Sequence, residues 1–578
     1  MNKSIMILLL IALIAAVSLG LGWTAHQATA AAEPPLSRYV PSGPLLYLQA
    51  KDFSSLLSDW NRSPQRREWL GSSNFEVFSR SRLFLRLRDA GKQFATAAGL
   101  PPDMNFLSQV AGSRSALALY DIGKLQFLYI TRLPSANSMQ SQLWQTRAKF
   151  ETRNVGNATF YVRRDPESER EVEFAVSGDY LLLATRGDLM AGALQLMAGS
   201  NNAGNEDRAR SIEAESWWSQ PVAAAGAEGD LRMVLNLEKI VPSPYFRSYW
   251  VQQNITEMKQ YTAAVSDLFR SGPEYREERV LLKKAAGGVT SASMPGDVSD
   301  LIRLVPEKAG SYQVEDCPSI EACFDPLKTK ILAPHLGPAP SEQLAPQAQL
   351  TSGVTGSSSD LETRIDEPLT RRSRNDDGSS QLKEILKKNQ VRAVLQVQST
   401  GRSSDGVFVR IHSAVALAGG SNWDEVAVRA ALTNFVRPSL TASQLGVGWR
   451  GVNGYYEFDG LQPLLAAVSG KYLIVSDDPA LIGSMLGNVN RKTNAQPAVF
   501  AAGFDHKLER GNFNRFAAVV DRPDANPFGG PGTQRQPQFF SENIASLGQT
   551  LAEVSSENIV VRNAGDKVLQ TVTYQWAH

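Results

Sequence analysis

AVSGDYLLLATRGDLMAGAL, residues 175–194, returns near the other end of the chain as AVSGKYLIVSDDPALIGSML, residues 467–486. Each stretch reads as strand, tight turn, strand and helix: an apolar run ends at Val-Ser-Gly, a short apolar run starts at Tyr, and a helical apolar pattern follows a polar break. Gly178 and Gly470 supply the positive φ that a tight turn takes, and residues 180–183 and 472–475 are short enough to be buried strands. Thr185 with Asp188 makes a capping-box pattern, while Asp478 before Pro479 places a cap residue ahead of a proline at the first helical position. The shared residues contain no nucleophile-base pair and no metal-ligand set, so the repeat reports on fold and is silent on chemistry.

The same grammar extends outward from the two stretches. Residues 39–60, YVPSGPLLYLQAKDFSSLLSDW, give a proline-glycine entry, a strand over 45–49 and a helix capped by Asp52; residues 304–316, LVPEKAGSYQVED, repeat the Val-Pro entry and the strand. A hairpin over 115–133 turns at 121–124, and its counterpart uses 391–398 and 407–411. Helices are predicted around Leu143 and Trp144 and over 422–435, the second followed by a strand at 455–458. Polar loops at 201–210 and 488–494 lead to strands at 231–237 and 498–504. NITEMKQYTAAVSDLF from Asn254 sets Ile255, Met258, Thr262 and Val265 at helical spacing, as NIASLGQTLAEVSSEN from Asn543 sets Ile544, Leu547, Leu551 and Val554, so both read as amphipathic helices before closing strands at 278–282 and 568–574.

The fold class this predicts is α+β: two tandem copies of a similar domain, with mostly antiparallel sheets and packed helices, the first over residues 31–298 and the second over 299–578. Within the second, 334–384 is rich in Pro, Ser and Gly with few large apolar residues and reads as a disordered insert; 523–538 reads as another flexible loop. Between Arg62 and Lys92, Arg66, Arg67, Arg80, Arg82, Arg86 and Arg88 outnumber the acids, and Leu83, Leu87, Ala90 and Phe94 fall at helical spacing. That combination predicts an amphipathic helix with a basic face, with Trp60 and Trp69 as core anchors beside it.

Val40-Pro41, the strand through Tyr47, and Asp52 with Leu56-Leu57 together resemble the opening of an uncharacterised family of exported bacterial proteins, catalogued as a domain of unknown function. The resemblance extends over the first copy at most. It implies an envelope location and brings no catalytic residues with it.

At 578 residues the chain exceeds one compact core, which fits two domains. With 59 basic and 58 acidic side chains the formal charge is +1, so no global field draws it to nucleic acid. Lys3 precedes an apolar run over 5–21, and Ala28-Thr29-Ala30 is a small-x-small cleavage pattern, so residues 1–30 read as a signal peptide or, if uncleaved, as an inner-membrane anchor over 5–22. Membrane contact is expected only through that segment. The expected location is extracytoplasmic, periplasmic or secreted. In an exported chain the two cysteines, Cys317 and Cys323, are expected to form a disulfide.

Candidate chemistry is thin. The five histidines, His26, His335, His412, His506 and His578, are scattered, and none stands in a metal-ligand or metalloprotease spacing. Gly446-Val447-Gly448-Trp449-Arg450-Gly451 matches a dinucleotide pattern by letters, yet it leads to a predicted strand where that motif needs a helix. The carboxylate pairs Asp477-Asp478 and Asp376-Asp377 fall in a helix cap and in the insert. No catalytic residue, cofactor or metal is therefore assigned. The leading expectation is a non-enzymatic cell-envelope protein that binds a protein partner or an apolar or polymeric envelope ligand. The alternatives are an extracytoplasmic hydrolase whose site only folding assembles, and a protease-inhibitor-like module.

Overall fold

The computed structural model describes residues 34–72, 75, 76, 79, 80, 82–98, 106–133, 145–166, 169–199, 210–243, 258–284, 298–333, 379–402, 409–440, 448–458, 463–492, 497–512 and 554–576. It mixes helix with extensive antiparallel sheet. The chain forms two compact units.

The first unit carries β1 (Leu46–Ala50), β2 (Ser115–Asp121), β3 (Gln126–Arg132), β4 (Glu151–Val155), β5 (Ala158–Arg164), β6 (Glu171–Ser177), β7 (Tyr180–Ala184), β8 (Leu231–Asn236), β9 (Tyr261–Ser271) and β10 (Glu274–Lys283). Its neighbours run β10-β9-β8-β1-β2-β3-β7-β6-β5-β4, every pair antiparallel. Helix α1 (Phe53–Arg62) starts at Asp52, whose side chain accepts from Ser55 N, and α2 (Pro64–Gly71) starts at Ser63 with Pro64 in its first turn. The basic helix α3 (Arg82–Ala98) forms, with Phe84 buried against Phe75 and against a cluster that Trp60 and Trp69 join. Across β6 and β7 lies α4 (Gly187–Met197); Leu189, Met190, Ala193 and Leu194 pack on Ala175, Leu182 and Ala184, and α5 (Ser216–Ala224) adds Trp217 to the same core. Phe150, Val172, Phe174, Leu181 and Leu183 fill the opposite face. Because both faces are covered, β7 and residues 174–176 of β6 read as continuous apolar runs.

In the second unit stand β11 (Ser311–Asp316), β12 (Ala393–Arg402), β13 (Val409–Ala418), β14 (Trp449–Val452), β15 (Tyr455–Phe458), β16 (Leu464–Ser469), β17 (Tyr472–Ser476) and β18 (Phe500–Asp505). Their order is β18-β11-β12-β13-β17-β16-β15-β14, again antiparallel, and β18 pairs outward with residues 556–561 of β19 (Val554–Ala564). On one face α6 (Ile320–Leu327), α7 (Ser379–Lys388) and α8 (Glu425–Leu440) bury Phe324, Leu382, Leu386, Leu432 and Phe435. On the other, α9 (Pro479–Asn488) buries Ile482 and Met485 over Leu465 and Ile474.

Several expectations change. The helix expected from Asn254 is strand from Tyr261: Ala263, Val265 and Asp267 are buried while Thr262, Ala264 and Ser266 are less so, a period of two, and pairing with β8 and β10 overrides the local 3.6 pattern. The helix expected from Asn543 is likewise strand from Val554, the rest of it lying outside the described residues. Residues 379–384, placed in the disordered insert, belong to α7, and Leu382 is fully buried; the remainder of the insert is outside the described residues. So are residues 1–30, the helix around Leu143 and Trp144, and the loops at 201–209 and 523–538. A single cut between 298 and 299 does not separate the units. The segment Asn563–His578, which contains β20 (Lys567–Trp576), belongs to the first unit, where β20 pairs with β10 from Glu274↔Gln575 to Leu282↔Lys567.

Candidate functional site

The echoed stretches place polar groups at one corner of each unit, where a buried strand ends and a helix begins. The turns preceding these strands take the expected form, with Gly178 and Gly470 both at φ +56°.

In the second unit, Asp478 caps α9 by accepting from Ala480 N at 2.8 Å and Leu481 N at 2.9 Å, ahead of Pro479. Asp477 accepts from Ser413 N at 2.7 Å, and burial pushes its carboxyl up while that N–H opposes the shift. The Ser476 hydroxyl donates to Ser413 O at 2.9 Å and accepts from Asp478 N at 3.0 Å. His412, on β13, holds Nδ1 3.5 Å from Asp478 Oδ2 and 3.9 Å from Asp477 Oδ1. Folding therefore brings a histidine, two carboxylates and a serine together. The serine hydroxyl is committed to backbone groups, and one oxygen of each carboxylate accepts backbone N–H bonds.

In the first unit the corner is built differently. The Thr185 hydroxyl accepts from Phe127 N at 3.0 Å and does not cap α4, whose N-cap is Arg186 with no side-chain cap bond; the capping box expected of Thr185 and Asp188 is absent. Arg186 instead grips Asp188 at 2.5 and 2.7 Å, which holds that carboxyl below its usual range, and reaches Gln126 Oε1 at 2.9 Å. Beneath this turn lies Glu173, fully buried on β6. Burial first, and then the neighbouring Glu171, raises its carboxyl to about 8, with Arg153 opposing. Gly187 makes the close approach possible, because a Cβ there would stand 3.1 Å from Glu173 Oε1.

Next to this corner runs β4. Glu151, Thr152, Arg153 and Asn154 are exposed, and among the described residues β4 pairs only with β5. Arg153 donates to both Glu151 oxygens at 3.1 and 3.2 Å. At the β4–β5 turn a cavity of about 350 Å³ is lined by Asn157, Thr159, Tyr161, Val176, Ser177 and Ala198.

Cys317 and Cys323 bring their sulfurs to bonding distance, with Cα atoms 5.3 Å apart; Cys323 is buried in α6, whose first turn Ser319 caps through Ala322 N. His506 opens the segment after β18, stacks edge-on against Phe504 at 4.8 Å and places Nε2 3.9 Å from Glu557 Oε1. His26, His335, His578, Asp376 and Asp377 lie outside the described residues. The glycine pattern over 446–451 leads into β14 and the turn at Asn453-Gly454, then β15, with no helix following. Among the described residues no group of three His, Cys, Asp or Glu side chains is spaced to hold a metal ion, and no helix is long and apolar enough to cross a membrane.

Glu173 went unnoticed in the sequence, although a signal was present. Two residues before the shared Ala-Val-Ser-Gly, the first stretch has Glu173 and the second has Leu465. Arg232 and Asp267, buried partners 2.7 and 2.9 Å apart across β8 and β9, were hidden by the helical reading of the segment around Asp267.

No family model matches the chain, and no curated protein sequence matches it. Among solved structures it aligns with crystal form I of TP0453 at 13% identity and a TM-score of 0.23, covering 44% of this chain and 81% of that one. Crystal form III of TP0453 aligns at 11% identity and a TM-score of 0.22, covering 45% and 84%.

Proposed function

We propose that the chain is a non-enzymatic protein of an extracytoplasmic compartment, built from two tandem copies of one α+β domain, that takes an extended segment of a protein partner as an added strand along β4. The pairing orders support the duplication. β1 lies between β2 and β8 as β11 lies between β12 and β18, β3 joins β2 to β7 as β13 joins β12 to β17, and β7-β6-β5-β4 follow as β17-β16-β15-β14 do. Export is supported by the charged start, apolar run and Ala28-Thr29-Ala30 of the amino terminus.

The observation that carries the binding role is the outer edge of β4, four successive exposed residues with no outward backbone pairing among the described residues. Such an edge offers main-chain donors and acceptors to an extended peptide, and alternate side chains choose the partner. Glu151 and Arg153 on this edge discourage indiscriminate strand pairing. A hydrolase is disfavoured by the second unit's corner, where the Ser476 hydroxyl and both carboxylates serve the backbone. A photo-crosslinking residue at Thr152 should join the chain to an envelope protein, and the same probe at Val426, 70% exposed in the second unit, should not. Equal labelling from both positions would refute strand addition at β4.

A further inference from the structure

Glu173 has both carboxylate oxygens buried and without a hydrogen-bond partner among the described residues. Its cross-strand neighbours are apolar, Val162 on β5 and Ala184 on β7, and above it stands the first residue of α4, Gly187. The charged groups facing it are Glu171 on its own strand, Arg153 on β4 and Asp188 on α4. Two of these are anions. The cation Arg153 spends Nε and Nη2 on Glu151, and Asp188 is held by Arg186, so among the described residues no cation is hydrogen-bonded to Glu173, and Arg153 only partly offsets its burial. An ionised carboxylate left unpaired in such a place is strongly disfavoured, and the group keeps its proton instead. Where the second unit is read as a second copy, Leu465 takes the same place: it pairs with Ser476 as Glu173 pairs with Ala184, and it is fully buried under α9. Packing alone would select that leucine.

We propose that Glu173 is a proton-operated latch for α4: with its proton the carboxyl lies under Gly187 and the helix docks on β6 and β7, and without it the first turn of α4 lifts to let water reach the charge. The direction of the pH effect follows from the higher proton affinity of the folded state. The folded protein holds a proton at Glu173 up to about 8, whereas the unfolded chain releases it near the ordinary 4.5. Stability of the first unit therefore falls as pH rises through that interval and is level beyond it.

The test uses the full chain, melted from about pH 5 to about pH 9 as wild type and as Glu173→Gln, which keeps the volume and cannot ionise. The melting temperature of the first unit should fall with pH in the wild type relative to Glu173→Gln; parallel curves would overturn the latch. Amide exchange compared at equal pH localises the effect. Above about pH 8 the wild type should exchange faster than Glu173→Gln at Leu189 and Met190, and equal rates there would overturn the lifting of α4. A second variant, Glu173→Leu, should fold with a raised melting temperature. If it fails to fold, the equivalence with Leu465 falls, an outcome that the Glu173→Gln curves distinguish from failure of the latch itself.

Discussion

Arg232 and Asp267 face each other across β8 and β9, and Asp267 also accepts from Gly229 N at 3.0 Å, so the carboxylate is satisfied on both sides while nearly all of it is out of water. Removing one partner of such a pair strands the other. Asp267→Ala is expected to cost about 3–5 kcal/mol, read as a lowered denaturant midpoint of the first unit's transition. The caps give a smaller contrast. Asp478→Ala removes the acceptor for two amides of α9 and should cost about 1 kcal/mol, whereas Thr185→Ala should leave the start of α4 unaffected, because Thr185 serves Phe127 N. Hydrogen exchange over the first turns of α9 and α4 checks both. The Asp478 cap was legible because Asp-Pro is a local signal. The Thr185 pattern misled because the hydroxyl had a closer donor on a neighbouring strand, which no local spacing announces. Glu173 is the same kind of case, since its meaning depends on what folds over it.

At the scale of elements, the reading succeeds where the signal is short-range and fails where partners are remote. Both turns of the echoed stretches, the hairpin of β2 and β3, the basic helix α3 and the strands around Gly178 and Gly470 were predicted from local pattern. β9 was not, because Ile255, Met258, Thr262 and Val265 fall at helical spacing, and the strand is chosen by pairing with β8 and β10. α7 makes a similar point at the edge of the insert. Its two inward leucines, Leu382 and Leu386, fall at helical spacing and pack with Phe324 and Phe435, but they follow a long polar stretch that masked them. Deleting residues 334–384 should therefore lower the melting temperature of the second unit, by an amount in line with about 2–5 kcal/mol for each buried leucine removed. A deletion that stops at 378 should spare it. Circular-dichroism melts of the two deletions separate the outcomes, and equal melts would mean that α7 adds nothing to the core.

For the molecule as a whole, the informative residues are the last ones. β20 belongs to the first unit and runs beside β10 for nearly its full length, with Trp576 packed on the buried Tyr275 at 5.1 Å and Lys283 Nζ donating to Gly565 O at 2.9 Å. The pairing with β10 joins segments far apart in sequence, and nothing local in residues 567–576 announces that partner. The first unit is thus incomplete when its own stretch of chain ends. Without β20, the long strand β10 would present an open row of backbone donors and acceptors and uncover part of Tyr275, the condition under which sheets associate edge to edge. A fragment of residues 31–298 is accordingly expected to aggregate or to melt well below the first transition of the full chain. A synthetic peptide of residues 563–578 supplied in trans should bind it and restore a monomer, with Trp576 fluorescence shifting to the blue as the ring is buried. Removing 567–578 from the full chain should reproduce the defect in the first unit. Sedimentation velocity with and without the peptide is the measurement; a fragment that is monomeric and fully stable alone would show that β10 does not depend on β20.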